Sequence, residues 1–220
     1  MPAFPLFIAL KGKKCVVVGG GEVASRKIQV LLEFDAFITV ISPEISESIQ
    51  ELKWQGKVIV IKKRYSEDDI EGAFMVIAAT SDEKVNQKVY NDALRSNIFV
   101  NVADCPEKCT FTFPSVVTRD ELVIGISTSG GYPALAKKLR QKIEDVIPES
   151  YGTLLHILKQ CRSRAQAEVY DAAKRRELLN RVLDEVVFYE DAVTSGVLMA
   201  RIEDIFGEYK NEKDNQGRDS

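Results

Sequence analysis

A strand that runs into three glycines and then into a helix limits what this chain can fold into more than any other feature. The segment reads Val16-Val17-Val18-Gly19-Gly20-Gly21-Glu22-Val23-Ala24-Ser25-Arg26-Lys27. Gly19, Gly21 and Ala24 have the spacing G-x-G-x-x-A, and in a dinucleotide-binding βαβ unit each has a physical task. Gly19 permits a tight turn, Gly21 lets the backbone approach a pyrophosphate, and Ala24 lets helix and strand pack closely. The first helical turn presents free N–H groups to the anion. The spacing alone also fits a plain strand–helix turn. The context favours the dinucleotide reading, because Phe37-Ile38-Thr39-Val40-Ile41 supplies the second strand of a βαβ unit.

Composition sets the broad class. Of 220 residues, 45% are hydrophobic and 29% charged, a globular proportion with enough chain for one large domain or two small ones. A formal net charge of −3 gives no basic field for nucleic acid, but a local cluster of Arg and Lys can still face an anionic small molecule. No apolar run reaches the ~18 residues of a membrane span. Residues 1–14 show no basic leader and no cleavage pattern, so no signal peptide is expected and the chain reads as cytoplasmic. Cys15 starts a buried strand, and Cys105 and Cys109 form the one cysteine cluster. With one histidine and no second cysteine pair, the ligand count for structural zinc is missing, and no metal site is expected. Cys105 and Cys109 read either as reduced thiols in a loop or as a redox-active pair.

Residues 13–104 alternate strand and helix. Strands are expected over 16–18, 37–41, 58–61, 74–79 and 98–102, the fourth apolar throughout as a buried parallel strand is. Pro43 and Glu44 open a helix reaching Trp54. Thr80-Ser81-Asp82 caps another over 83–95, since Ser and Asp side chains accept the free N–H bonds of a first turn. This pattern implies a parallel sheet with helices on both faces. After Asp104 strand follows strand, over 110–113, 115–118 and 122–127, with a turn at Arg119-Asp120. A helix starts at Pro133, where the missing N–H is not needed, and runs to Ile147. From 151 to 209 apolar residues recur only at helical spacing. The expected class is α/β: a Rossmann-type parallel sheet over 1–112, a small mixed α+β segment over 113–148 and a helical domain over 149–209. The polar tail over 210–220 is expected to be disordered.

Several residues could carry chemistry. The second strand of a dinucleotide unit normally ends in an acid for the adenosine ribose. Here it ends Ile41-Ser42-Pro43-Glu44, and no Arg or Lys follows at once to meet a 2′-phosphate, which points to NAD over NADP. Glu44 either lines the adenosine end with Pro43 or is a helix N-terminal acid favoured by the dipole. Thr80, at the C-terminal edge of the fourth strand, either faces the cofactor or caps the next helix. Asp104 follows the fifth strand on that edge. It is either a solvated turn residue or, near a nicotinamide, a base or a stabiliser of developing positive charge. Ser127-Thr128-Ser129-Gly130-Gly131-Tyr132-Pro133-Ala134-Leu135-Ala136 is a second glycine-bearing turn from strand to helix. Free N–H groups at Gly130, Gly131 and the helix start form an anion site there, with Lys137, Lys138, Arg140 and Lys142 following. The alternative is a solvated basic helix face. His156 lies in an apolar helical stretch and reads as a packed residue rather than a metal ligand.

Together, Gly19 to Lys27, Ala78-Ala79-Thr80-Ser81-Asp82, Val85-Asn86-Gln87, Asn101-Val102-Ala103-Asp104, Phe113-Pro114-Ser115 and the 127–136 turn resemble the dehydrogenase/chelatase portion of siroheme synthase, the precorrin-2 dehydrogenase family. The resemblance covers residues 1–150 by motif and the rest by length and helical character. It implies NAD-dependent oxidation of precorrin-2 to sirohydrochlorin on the route to siroheme. In some members Fe²⁺ is then inserted, as a substrate, at the same site. The family's essential aspartate falls on Asp104, and its cofactor contacts fall on Glu22, Val23, Pro43 and Glu44. A phosphoserine of some relatives falls on Thr128. Substrate carboxylates would account for the basic residues near Lys137 and for Arg162, Arg164, Arg175 and Arg176, with Ser127, Thr128, Gly130 and Gly131 as further candidates. The resemblance also implies a homodimer in which residues 113–148 serve dimerisation, and precorrin-2 supplied by a separate methyltransferase. The competing class is an NAD-binding regulatory module, which needs neither Asp104 nor the second glycine turn. A dehydrogenase of a small hydroxy acid usually needs a His or Lys acid/base, and His156 lies outside the sheet.

Overall fold

Valine- and isoleucine-rich runs build the first of two units, Met1–Phe113. The computed structural model describes residues 3–188 and 196–216. Strands β1 (Lys14–Val18), β2 (Phe37–Ile41), β3 (Val58–Ile61), β4 (Met75–Ala78) and β5 (Phe99–Val102) form one sheet in the order β3-β2-β1-β4-β5. Every pairing is parallel, and Val17 stands between Val40 and Ile77. Alternation along β1 sends Cys15 and Val17 into one layer, with Ile28 of α1 (Glu22–Leu32) and Ile49 of α2 (Glu47–Trp54). Val16 and Val18 enter the other layer, with Val89 and Ala93 of α3 (Glu83–Arg95). Cys15, Val16 and Val17 are 0% exposed. Full burial of one aliphatic side chain stabilises by about 1.5–3 kcal/mol, so β1 anchors both layers. The α/β, Rossmann-type sheet expected from the sequence is present.

Three local expectations change. First, α2 starts at Glu47, not at Pro43. The Ser42 hydroxyl donates to the Glu44 carbonyl at 2.6 Å, and the Ser46 N–H donates to the Gly20 carbonyl at 2.7 Å. These bonds hold 42–46 as a loop against the glycine turn. Second, β3 and β4 are joined by a single 3-10 turn, Glu67–Ile70, closed by a Ser66–Asp69 capping box, rather than by a helix. Third, 110–113 is not a strand. The Thr110 hydroxyl accepts the Val100 N–H at 2.8 Å, taking the donor that a regular backbone ladder would use.

The second unit, Pro114–Ser220, opens with an antiparallel hairpin of β6 (Ser115–Arg119) and β7 (Leu122–Ile126). Its turn places Asp120 in the left-handed region, φ 50°. Helix α4 (Pro133–Val146) packs on this hairpin through Ala136. The buried Arg119 donates from Nε to the Ile147 carbonyl at 2.8 Å, so a cation meets the free carbonyls at the end of α4. Helices α5 (Ser150–Glu168), α6 (Ala172–Phe188) and α7 (Gly196–Gln216) bury Leu154, Ile157, Cys161, Leu178, Val182 and Phe206 in one cluster. His156 is exposed, not packed. The buried face of α5 recurs at Leu154, Ile157, Cys161 and Ala165, and that phase turns His156 outward, where it meets Gln160. Helix α7 continues to Gln216, past the point where the polar tail was expected to begin at Lys210. Low hydropathy alone does not end a helix when Glu, Lys and Gln supply strong helix propensity. Residues 217–220 lie outside the described ones. Among the described residues no helix is long and apolar enough to cross a membrane.

Candidate active site

The C-terminal ends of the five parallel strands meet at one edge, and the ladder runs past the strands there. Ser42 N–H donates to Ile61, Gly19 to Ile41, Ala79 to Val18 and Ala103 to Ala78, each through the backbone at 2.8–3.3 Å. The chain leaves β1 toward β2 on one side and returns to β4 on the other. The crevice opened at such a switch point is where open parallel sheets bind ligands.

The glycine turn fills that crevice from below. At Gly19, φ is 124°, and a Cβ would stand 2.3 Å from the Ala79 carbonyl oxygen. A Cβ on Gly20 would stand 2.0 Å from the Glu44 carbonyl oxygen. Gly21 differs: a Cβ there meets nothing within 4 Å, and its φ of −87° suits any residue. The protein itself therefore does not require glycine at 21, and the open space lies before the first turn of α1. No side chain caps that turn. Ala24, fully buried, seats α1 on the sheet. Glu22 is exposed and Val23 half-buried at the mouth. These residues fit a pyrophosphate, which would take the space before Gly21 and the N–H groups of Glu22 and Val23.

Pro43 and Glu44 lie exposed in the loop that rests on Gly20. Because α2 begins at Glu47, Glu44 is not an acid of its first turn; Glu47 is. Thr80 sits past β4 and spends its hydroxyl locally. It donates to the Asn86 amide oxygen at 2.8 Å, while Asn86 donates back to the Thr80 carbonyl at 2.9 Å. The cap of α3 is Asp82, which accepts from the N–H groups of Lys84 and Val85. Thr80 thus stiffens the turn beside Gly19.

Asp104 is exposed at the crest of the loop after β5, in the left-handed region at φ 57°. Asp tolerates this region better than most residues, and such conformations persist where the surroundings impose them. Here the surroundings are Cys109 and Asn101. The Cys109 thiol accepts from the Val102 N–H at 3.3 Å and lies 3.3 Å from the Val102 and Cys105 carbonyls. The buried Asn101 amide donates to the Phe111 carbonyl at 3.0 Å. The loop is therefore folded back on β5 at both ends, leaving the carboxylate in solvent.

Cys105 and Cys109 are both free. Its hydrogen bond to Glu107 pushes the Cys105 thiol up, and burial pushes Cys109 up, so neither is poised as a thiolate. Of the two readings, the structure supports reduced loop thiols. Burial likewise pushes Cys15 up to about 11. Among the described residues no three His, Cys, Asp or Glu side chains gather as a metal site.

In the second unit, the 127–136 turn uses several of its own donors. The Gly131 N–H bonds the Thr128 carbonyl at 2.9 Å, and the Tyr132 N–H bonds the Thr128 hydroxyl at 3.3 Å. Ser129 N–H bonds the Ser127 hydroxyl at 3.1 Å. The anion site expected at Gly131 and the helix start is thus reduced, because Thr128 takes both donors. Gly130, at φ 79°, and Lys137 remain exposed. Of the other expected cations, Arg140 pairs with Glu144, Arg164 with Glu168 and Glu203, and Arg175 bonds the Val169 carbonyl. Arg140 thus ties two turns of α4, while Arg164 links α5 to α7 and Arg175 links α6 to the end of α5.

From the sequence, Gly20 has no task of its own and Cys109 reads only as a loop thiol or half of a redox pair. The unbroken Gly-Gly-Gly run marks the first. Nothing local marks the role of Cys109 in holding the loop, because its partners lie across a return of the chain.

A parallel sheet with this strand order and glycine turn defines a dinucleotide-binding α/β protein. The profile of a family described as putative NAD(P)-binding matches residues 6–115. Siroheme synthase of Nitrosococcus oceani is 36% identical over 208 residues, 92% of this chain and 44% of that protein. Siroheme synthase of Pseudoalteromonas translucida is 41% identical over 187 residues, 85% of this chain and 40% of that protein. The solved structure of SirC, precorrin-2 dehydrogenase, superposes with a TM-score of 0.73 at 27% identity, covering 95% of this chain and 100% of that one. The chain belongs to the putative NAD(P)-binding family whose profile it matches. It spans less than half the length of the siroheme synthases it matches.

Proposed function

We propose that this chain is an NAD-dependent dehydrogenase that oxidises precorrin-2 to sirohydrochlorin. The observation that carries the reading is Asp104. It is an exposed carboxylate, held in a left-handed turn by a pinned loop, on the sheet edge that bears the glycine turn. The likeness to SirC and to siroheme synthases supports the choice of substrate.

Removing two hydrogens from precorrin-2 takes a hydride and a proton. When bound, NAD supplies the hydride acceptor. Asp104 takes the proton and passes it to solvent, to which its loop exposes it. Gly21, Glu22, Val23 and Ala24 hold the pyrophosphate, while Pro43 and Glu44 line the adenosine end. Gly19 and Thr80 fix the turn between them. Exposed Lys137 and Gly130 offer recognition to the many carboxylates of the substrate. Insertion of Fe²⁺ as a second substrate also needs a base for the pyrrole N–H protons, and Asp104 would serve it.

The homodimer belongs to this reading. Leu135, Leu139 and Val146 of α4 are 47%, 39% and 72% exposed and fall on one stripe of the helix. A second copy would cover them within the 113–148 dimerisation segment. Four unpaired cysteines fit a reducing, cytoplasmic setting.

The test is NADH formation on adding precorrin-2 anaerobically, wild type against Asp104→Asn. Asn keeps the left-handed turn but not the base. Turnover is expected to fall by about 10²-fold or more, with NAD binding kept. Wild-type binding without turnover would instead identify a sensor. Wild-type turnover that Asp104→Asn retains would remove Asp104 from the mechanism.

A further inference from the structure

Lys27 closes the glycine-turn segment, and the proposed reaction leaves it without a task. It lies on α1, one turn beyond Ala24, and is half-buried. Its ammonium sits 4.0 Å from the centroid of the Phe113 ring, over its face. Among the described residues it makes no ion pair or hydrogen bond. Phe113 is itself fixed. It packs on Phe111 at 5.4 Å, Phe111 meets the edge of Phe99 at 6.4 Å, and Phe99 packs on Phe74 at 5.5 Å. This aromatic row lines the return of the chain after Asp104.

We propose that Lys27 is a positioning residue, tying the loop that carries Asp104 to the helix that carries the glycine turn through its contact with Phe113. The inference rests on the dehydrogenase reading above. The loop from Ala103 to Phe113 has four anchors. Cys109, Thr110 and Phe111 fasten it to β5. Lys27 alone among these fastens it to α1, whose first turn faces the cofactor. A cation over an aromatic face holds distance without demanding a fixed hydrogen-bond angle. Burial pulls the Lys27 ammonium below the usual lysine range, while Cys109 and Asp104 oppose that fall and Arg26 adds to it. The ammonium therefore stands where the Asp104 loop is felt electrostatically.

The test compares Lys27→Met, which keeps an apolar stem on the ring, with Lys27→Arg, which keeps the cation. Amide exchange over residues 102–113 is the readout independent of substrate. Exchange is expected to rise in Lys27→Met and return toward wild type in Lys27→Arg, with melting temperatures unchanged. In NADH formation from precorrin-2, Lys27→Met is expected to lose about tenfold in kcat, since small misplacement of a reacting group is costly. The KM for NAD is expected to stay within about twofold, because the glycine turn is intact. Unchanged exchange in the loop, or equal defects in both variants, overturns the proposal. If the wild type does not oxidise precorrin-2, the dehydrogenase reading fails and the exchange result alone decides the link between Lys27 and the loop.

Discussion

Two neighbouring glycines do different work, and alanine at each separates stability from binding. A Cβ at Gly20 would stand 2.0 Å from the Glu44 carbonyl oxygen, 2.8 Å from the Ser42 hydroxyl and 2.9 Å from the Ile45 Cα. Two of these atoms are backbone, so the 42–45 loop must retreat by about 1.5 Å to reach ordinary contact. Overpacking of this kind costs about 1–3 kcal/mol, and the stiffer unfolded chain of alanine returns about 0.4–1 kcal/mol. A net loss of about 1–2 kcal/mol lowers the melting temperature by about 2–8 °C in a chain of this size. Gly21→Ala meets nothing within 4 Å and keeps an allowed backbone, so its melting temperature stays within about 2 °C of wild type. Its methyl instead enters the space where the pyrophosphate approaches. NADH affinity is expected to fall at least about tenfold, or about 1.4 kcal/mol. Scanning calorimetry without ligand and fluorescence titration with NADH read the two effects. Wild-type NADH affinity in Gly21→Ala refutes the reasoning, as does a Gly20→Ala protein that melts with wild type.

Acid tests the buried Asp92. Its burial works to raise the carboxyl, but hydrogen bonds from Lys88 and Tyr65 and the charges of Lys88 and Arg95 outweigh this and hold it below the usual carboxylate range. A depressed acid adds stability above its unfolded value near 3.9 and loses it as pH falls toward the folded value. Between about pH 6 and about pH 3 the melting temperature is therefore expected to fall less steeply in Asp92→Asn than in wild type; parallel curves would sink the idea. For the dimer, Leu139→Asp is expected to give monomers in sedimentation equilibrium while wild type sediments as a dimer. A variant that stays dimeric moves the interface off α4.

What could be read from the sequence follows how local each signal is. The bounds of β2, β3 and α3 are as expected, because a β-branched run or an Asp cap states its structure within a few residues. The start of α2 was misplaced because its position is set from outside, by the Ser46 bond to Gly20. Residues 110–113 have the composition of a strand but fold as a loop, since the Thr110 side chain takes the ladder's donor. His156 was misread because four apolar neighbours hide the helix phase until the partner face is known.

The site repeats the same division. Gly19, Gly21 and Ala24 announce themselves by spacing, and Asp104 by standing after a strand. What holds Asp104 does not announce itself. Cys109, Asn101 and Lys27 act across chain returns of 7, 10 and 86 residues, taken from Val102 to Cys109, Asn101 to Phe111 and Lys27 to Phe113. A carboxylate at the end of a strand is common. One whose backbone is kept in a left-handed turn by a thiol, an amide and an ammonium is a placed group. In the proposed dehydrogenase, that turn sets where the carboxylate stands on the sheet edge that bears the glycine turn.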